Sequence, residues 1–117
     1  MTPLADVRFE TIDRVVVAHL EGEIDMSNAS ELGRAIIARV PADALGVVLD
    51  LGAVDYLDSA GIHVTFELRA HLTPRGQEIR LAVAPDSPIA TTLQYAGVPG
   101  TIGATDTVQD AIAELRD

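Results

Sequence analysis

The sequence predicts an α/β fold: a mixed β-sheet with an initial antiparallel pair and about four helices packed on it. Three observations carry that prediction. Strand-like and helix-like segments alternate after two opening β-rich runs. The stretch "GVVLDL", Gly46 to Leu51, is almost continuously apolar, as in a strand buried on both faces. The chain is 48% hydrophobic but only 3% aromatic, so its core is built of Val, Leu, Ile and Ala. A chain of 117 residues suits one compact domain, residues 1–117, with no room for a second.

The runs "VRFETID" and "RVVVAHLEGEI" meet at Asp13-Arg14, a junction short enough for an antiparallel pair. In "MSNASELGRAIIARV", Asn28 followed by Glu31 reads as a capping-box-like start, and Leu32, Ile36, Ile37 and Val40 recur at helical spacing until Pro41. "GVVLDL" is the expected central strand. After a short turn, a second helix is expected from Ser59 to about Leu72, where "TPRG" stops it. "EIRLAVA" reads as a further strand, and Pro85 and Pro88 frame a third helix that runs to Gly97. A weak strand is expected around Thr101 and Ile102, and "DTVQDAIAEL" forms a terminal helix capped by Asp106 or Thr107.

Composition removes several classes of function. The absence of cysteine excludes disulfide scaffolds and thiolate metal sites. Nucleic acid and anionic lipid would repel a chain of net charge −10 that has eight Arg and no Lys. The opening "MTPLADVRFE" has neither a basic start nor an apolar run, and no segment reaches the ~20 apolar residues of a membrane helix. Export and membrane insertion are therefore not expected, and a cytoplasmic location is.

In sheets of this class, function collects where strand ends meet helix starts, and here that place is "DLGAVDYLDSAG". From the residues alone, Ser59 reads either as a helix N-cap, worth ~1 kcal/mol, or as an exposed acceptor for a phosphoryl group. Capping does not explain Gly61, because glycine inside a helix costs ~1 kcal/mol relative to Ala. A bare helix start suits close approach by a docking enzyme. On a helical wheel Gly61, Val64, Leu68 and Leu72 face the sheet, while Ser59, Ile62, Phe66 and Ala70 form a second, outward stripe. An apolar stripe headed by a hydroxyl predicts a partner surface.

The stretch "VVLDLGAVDYLDSAGIHV" closely resembles the central signature of the STAS domain, the fold of bacterial anti-sigma factor antagonists, and "LEGEIDMSNASEL" resembles that family's second signature. The resemblance is strong for residues 20 to 62 and weaker beyond Pro85. It implies that Ser59 is phosphorylated by a partner anti-sigma factor that is itself a serine kinase. It also implies that the unphosphorylated form binds that kinase and releases a sigma factor, and that a serine phosphatase restores the cycle. Two departures stand out: His63 occupies a position where the family often has a small residue, and "GVPGTIG" replaces a more charged or bulky segment. The docking surface implied by both signatures and the outward stripe comprises Asp25, Met26 and Ser27 with Asp58, Ala60, Gly61, Ile62, His63 and Phe66. No cofactor, metal or catalytic activity is expected.

Other functions fare worse. Ser59, His63 and Glu67 lie at i, i+4 and i+8 and superficially offer a nucleophile, base and acid. Such residues project in parallel, however, and there is no Gly-x-Ser-x-Gly elbow and no evident oxyanion hole. A receiver-like phospho-aspartate at Asp50, with Asp55 and Asp58 on a divalent cation, fails for want of the lysine that receivers require. STAS-like domains also serve as subunits of lipid-transport machinery, stress-sensing scaffolds and parts of anion transporters. The intact Asp58-Ser59-Ala60-Gly61 motif favours the sigma-factor switch, with the lipid-transport or stress-sensing subunit as the alternative.

Overall fold

The computed structural model describes residues 5–117. Five strands, β1 (Ala5–Ile12), β2 (Val15–Ile24), β3 (Gly46–Leu57), β4 (Glu78–Ala82) and β5 (Gly103–Thr105), form one sheet in sequential order. The β1/β2 pair is antiparallel and every later pairing is parallel. The helices are α1 (Ala29–Ala38), α2 (Ser59–Leu72), α3 (Ala90–Tyr95), the single turn α4 (Val98–Thr101) and α5 (Val108–Arg116). The mixed sheet and its opening hairpin are as the sequence predicts. The hairpin turn places Asp13 at φ 50° and Arg14 at φ 66°, the left-handed pair that a two-residue turn between right-twisted strands requires.

Both sheet faces are covered, which is why β2 and β3 open with unbroken aliphatic runs. On one face Val16, Ala18, Val47, Leu49 and Leu81 pack with Leu32 and Ile36 of α1, Leu68 and Leu72 of α2, and Leu93 of α3. On the other, Val15, Val17, Val48 and Ala82 pack under Ala111, Ile112 and Leu115 of α5. Phe9 of β1 is half-buried, with the Arg39 guanidinium 4.5 Å above its ring. Gln77, 3% exposed, ties the start of β4 to the preceding loop by donating Nε2 to the carbonyls of Pro41 and Ala44 at 2.8 and 3.1 Å.

The structure corrects two boundaries. The central strand does not stop at Leu51 but runs to Leu57. Its register against β2 slips between His19 and Glu21 and again between Gly22 and Glu23, each time with an extra residue on β3. These bulges change the inward positions to Leu51, Val54 and Leu57, a spacing of three that hides the strand from a period-two reading. Gly22, on β2 beside the second irregularity, has φ 100°, a backbone conformation that favours glycine. Thr101 and Ile102, expected as a strand, instead end α4, because Gly97 at φ 72° closes α3 and Pro99 starts another turn. The edge strand follows at Gly103.

Candidate functional site

Because β2 and β3 are parallel neighbours, the loop after each leaves the same edge of the sheet. The Asp58 N–H donates to the Ile24 carbonyl at 3.2 Å, bringing the 25–28 loop against the head of α2. Within that loop the Asp25 carboxylate accepts from the Ser27 hydroxyl and, at 2.8 Å, from the Ser27 N–H. Those two bonds, the hydroxyl first, hold the Asp25 carboxyl below its ordinary value. Asn28 stands at the N-cap of α1 but does not cap it through its side chain. Its Oδ1 accepts from the Asp25 N–H at 3.1 Å and its Nδ2 donates to the Glu23 carbonyl at 2.9 Å. The capping-box reading of Asn28 is therefore replaced by a buried amide that folds the loop back on β2.

At α2 the cap is Asp58, not Ser59. Asp58 has an extended backbone and its Oδ1 accepts from the N–H groups of Ala60 at 2.9 Å and Gly61 at 3.2 Å. This frees Ser59, the first helical residue, which is exposed and forms no side-chain hydrogen bond among the described residues. Gly61 also departs from expectation. It is buried, and a Cβ there would stand 2.3 Å from Leu57 Cδ1 and 3.0 Å from Ile24 Cγ2. Its bareness is required by the packing of α2 on the sheet.

The helical wheel needs a similar correction. The buried face of α2 is Gly61, Thr65, Leu68 and Leu72, with Thr65 donating its hydroxyl to the Ile62 carbonyl at 2.6 Å. Ile62 and Phe66, expected to point outward, are half-buried and packed against the core. Val64, half-buried, meets Gly33 of α1, whose missing Cβ would lie 3.2 Å from Val64 Cγ1. The apolar groups that do reach solvent at this end are Met26, 85% exposed, and Tyr56, 49% exposed. Tyr56 was missed because the sequence reading ended β3 before it. In the structure it sits opposite Glu23, next to the pair Ile24 and Leu57.

Of the expected docking residues, the structure brings Asp25, Met26 and Ser27 beside Asp58, Ser59 and Ala60, while His63 lies one turn along α2. The surroundings are acidic. No Arg occurs from residue 40 to residue 68, whereas Asp55, Asp58 and Glu67 do. His63 Nε2 is 3.0 Å from Glu67 Oε1, so the His–Glu half of the hydrolytic arrangement forms, but no bond joins Ser59 to His63. Among the described residues no cluster of His, Cys, Asp and Glu could hold a metal ion. Asp50 is also committed elsewhere: its Oδ2 is 2.6 Å from His19 Nδ1, and His19 Nε2 is 2.8 Å from Glu10 Oε2. His19 thus has two partners that its sequence context did not reveal.

A second groove lies at another edge, lined by Arg69, Gln77, Arg80, Gly103 and Glu114. Its Arg80 is already paired with Glu114 at 2.8 Å and Glu78 at 3.7 Å, so its charge is not directed at a ligand. The exposed head of α2 remains the better candidate.

Residues 6–111 match the family model of the STAS domain. RsfB of Mycobacterium tuberculosis, an anti-sigma-F factor antagonist, is 31% identical over 103 residues, covering 87% of this chain and 82% of RsfB. A 55-residue stretch is 40% identical to BtrV of Bordetella bronchiseptica, and that match spans 47% of this chain and 47% of BtrV. The crystal structure of an anti-sigma factor antagonist from Mycobacterium paratuberculosis superposes with a TM-score of 0.81 at 29% identity, over 97% of this chain and 95% of that one.

Proposed function

This chain belongs to the STAS-domain family, and from that premise we propose that it is an anti-sigma factor antagonist switched by phosphorylation of Ser59. The unphosphorylated protein binds an anti-sigma factor serine kinase in the cytoplasm and so releases a sigma factor. Transfer of a phosphoryl group to Ser59 ends the complex, and a serine phosphatase reverses it. The single observation that carries this reading is the free Ser59 hydroxyl. It is exposed and relieved of capping by Asp58, and it stands beside a loop that presents Met26. The names of RsfB and the M. paratuberculosis protein support the same regulatory role.

The physical effect of the modification follows from its setting. A phosphoserine adds about 1.5 to 2 negative charges, which a helix N-terminus tolerates through its dipole and free N–H groups. The free domain therefore keeps its fold. In a complex the same group must lose its water next to Asp58 and the Asp25 loop, with no Arg from residue 40 to residue 68 to pair with it. Taking such a dianion out of water costs several kcal/mol even where a neighbouring group offsets part of its charge, enough to weaken association a hundredfold or more. Affinity changes without refolding.

Incubation with the candidate kinase and ATP, followed by mass mapping, tests the proposal. Phosphate on Ser59 is the expected result. Phosphate elsewhere with Ser59 untouched would overturn it, and co-purification with a membrane ATPase complex in place of a kinase would point to a transport subunit.

A further inference from the structure

Ser59, His63 and Glu67 form one exposed ridge along α2, each four residues from the next. His63 Nε2 already touches Glu67 Oε1 at 3.0 Å, and both side chains are more than half exposed. Helical side chains lean toward the helix N-terminus. Glu67 therefore leans back onto His63, and His63 can lean onto the turn that carries Ser59. The other ionisable groups around this ridge are Asp58 at its head, Asp55 before it, Asp25 on the neighbouring loop, and Arg34 of α1, which lines the crevice between α1 and α2 together with Glu67. Within one helical turn of Ser59 on this ridge, His63 is thus the one group that can carry positive charge, His71 lying four residues beyond Glu67 at the far end.

We infer that His63 is the internal counter-ion of phosphorylated Ser59, completing a Glu67–imidazolium–phosphate ladder on the surface of α2. The inference rests on the reading of Ser59 as a phosphoacceptor and adds how the modified state is held. Phosphate and imidazole ordinarily titrate close together, near pH 6 and 6.5. Where both are charged each favours the other's charge, so the dianion and the imidazolium form over a wider common range of pH. The crevice that Arg34 lines is shared with Glu67 but not with Ser59 or His63.

The test needs no kinase. Phosphoserine is installed at position 59 during synthesis, and phosphate and histidine resonances are followed by NMR against pH in the otherwise native chain, in His63→Gln and in Glu67→Gln. The second ionisation of the phosphate is expected about 0.3 to 0.5 pH unit lower with His63 present than in His63→Gln, a two- to threefold change in its constant. The His63 ring should titrate higher by a similar amount when Ser59 is phosphorylated. Glu67→Gln should retain the phosphate shift, and high salt should shrink it. Superimposable phosphate curves with and without His63, or a His63 ring that ignores phosphorylation, would overturn the inference. Those outcomes are separate from failure of the kinase to modify Ser59, because the phosphoserine is already in place.

Discussion

Leu57 occupies the space that a side chain on Gly61 would need: Leu57 Cδ1 lies 2.3 Å from the position of a Cβ on Gly61. Leu57 is the last inward residue of β3 and Gly61 the first buried residue of α2, so this contact sets how closely the helix that bears Ser59 lies on the sheet.

Gly61→Ala should therefore destabilise the fold despite the better helix propensity of alanine. Overpacking costs about 1–3 kcal/mol and the propensity gain is about 1 kcal/mol. Leu57→Val removes the atom in closest conflict, so Gly61→Ala should cost measurably less in that background. Urea midpoints of the four proteins in this cycle give the coupling. Additive effects would mean that Leu57 is not the obstacle.

Capping by Asp58 reverses the expectation that Ser59→Ala loses a helix cap. Asp58→Ala should cost about 1 kcal/mol, whereas Ser59→Ala should stay within about 0.5 kcal/mol of wild type. Ser59→Asp should be equally well folded, since a carboxylate in the first turn is favoured by the dipole, yet bind the kinase more weakly than Ser59→Ala. Equal kinase affinities for the alanine and aspartate variants would remove the switch.

Half-burial of Phe66 changes the choice of interface probe. Phe66→Asp pushes a charge against the core and should lower stability by about 2 kcal/mol or more. Met26→Asp and Tyr56→Asp act on exposed groups and should leave unfolding midpoints nearly unchanged while weakening kinase binding at least tenfold. Binding measured by calorimetry alongside thermal unfolding separates the two effects. Undiminished affinity in both exposed variants would move the interface away from this end.

The lowered pKa of Asp25 gives a signed pH dependence. A carboxyl whose folded-state pKa lies below its unfolded value contributes stability that is present above the unfolded value, about 4, and is lost as pH falls through the folded one. Asp25→Asn keeps an oxygen to accept from Ser27 but no charge. It should be less stable than wild type near neutral pH, and the two unfolding curves should converge as pH falls below about 4. A stability difference that persists unchanged at pH 2 would assign the effect to loop geometry instead of charge. Because Asp25 is only half-buried, added salt should reduce the difference at neutral pH.

Much of this protein is written in local sequence. Alternating periodicities marked four of the five strands and the three longer helices, Thr107 caps α5 as its position suggests, and the Asp58-Ser59-Ala60-Gly61 stretch falls at the strand-to-helix junction. These features depend on residues within a turn or two of one another, where capping, propensity and hydrophobic spacing act. The tertiary structure decided what local spacing leaves open. Two bulges against β2 extend β3 to Leu57 and expose Tyr56, and the extended conformation of Asp58 gives it the cap and leaves Ser59 free. Packing against the core half-buries Phe66, and His19 finds Asp50 31 residues away on the neighbouring strand. Each of these outcomes is fixed by strand register or by the fit of a helix on the sheet, and those contacts join residues that no local pattern relates.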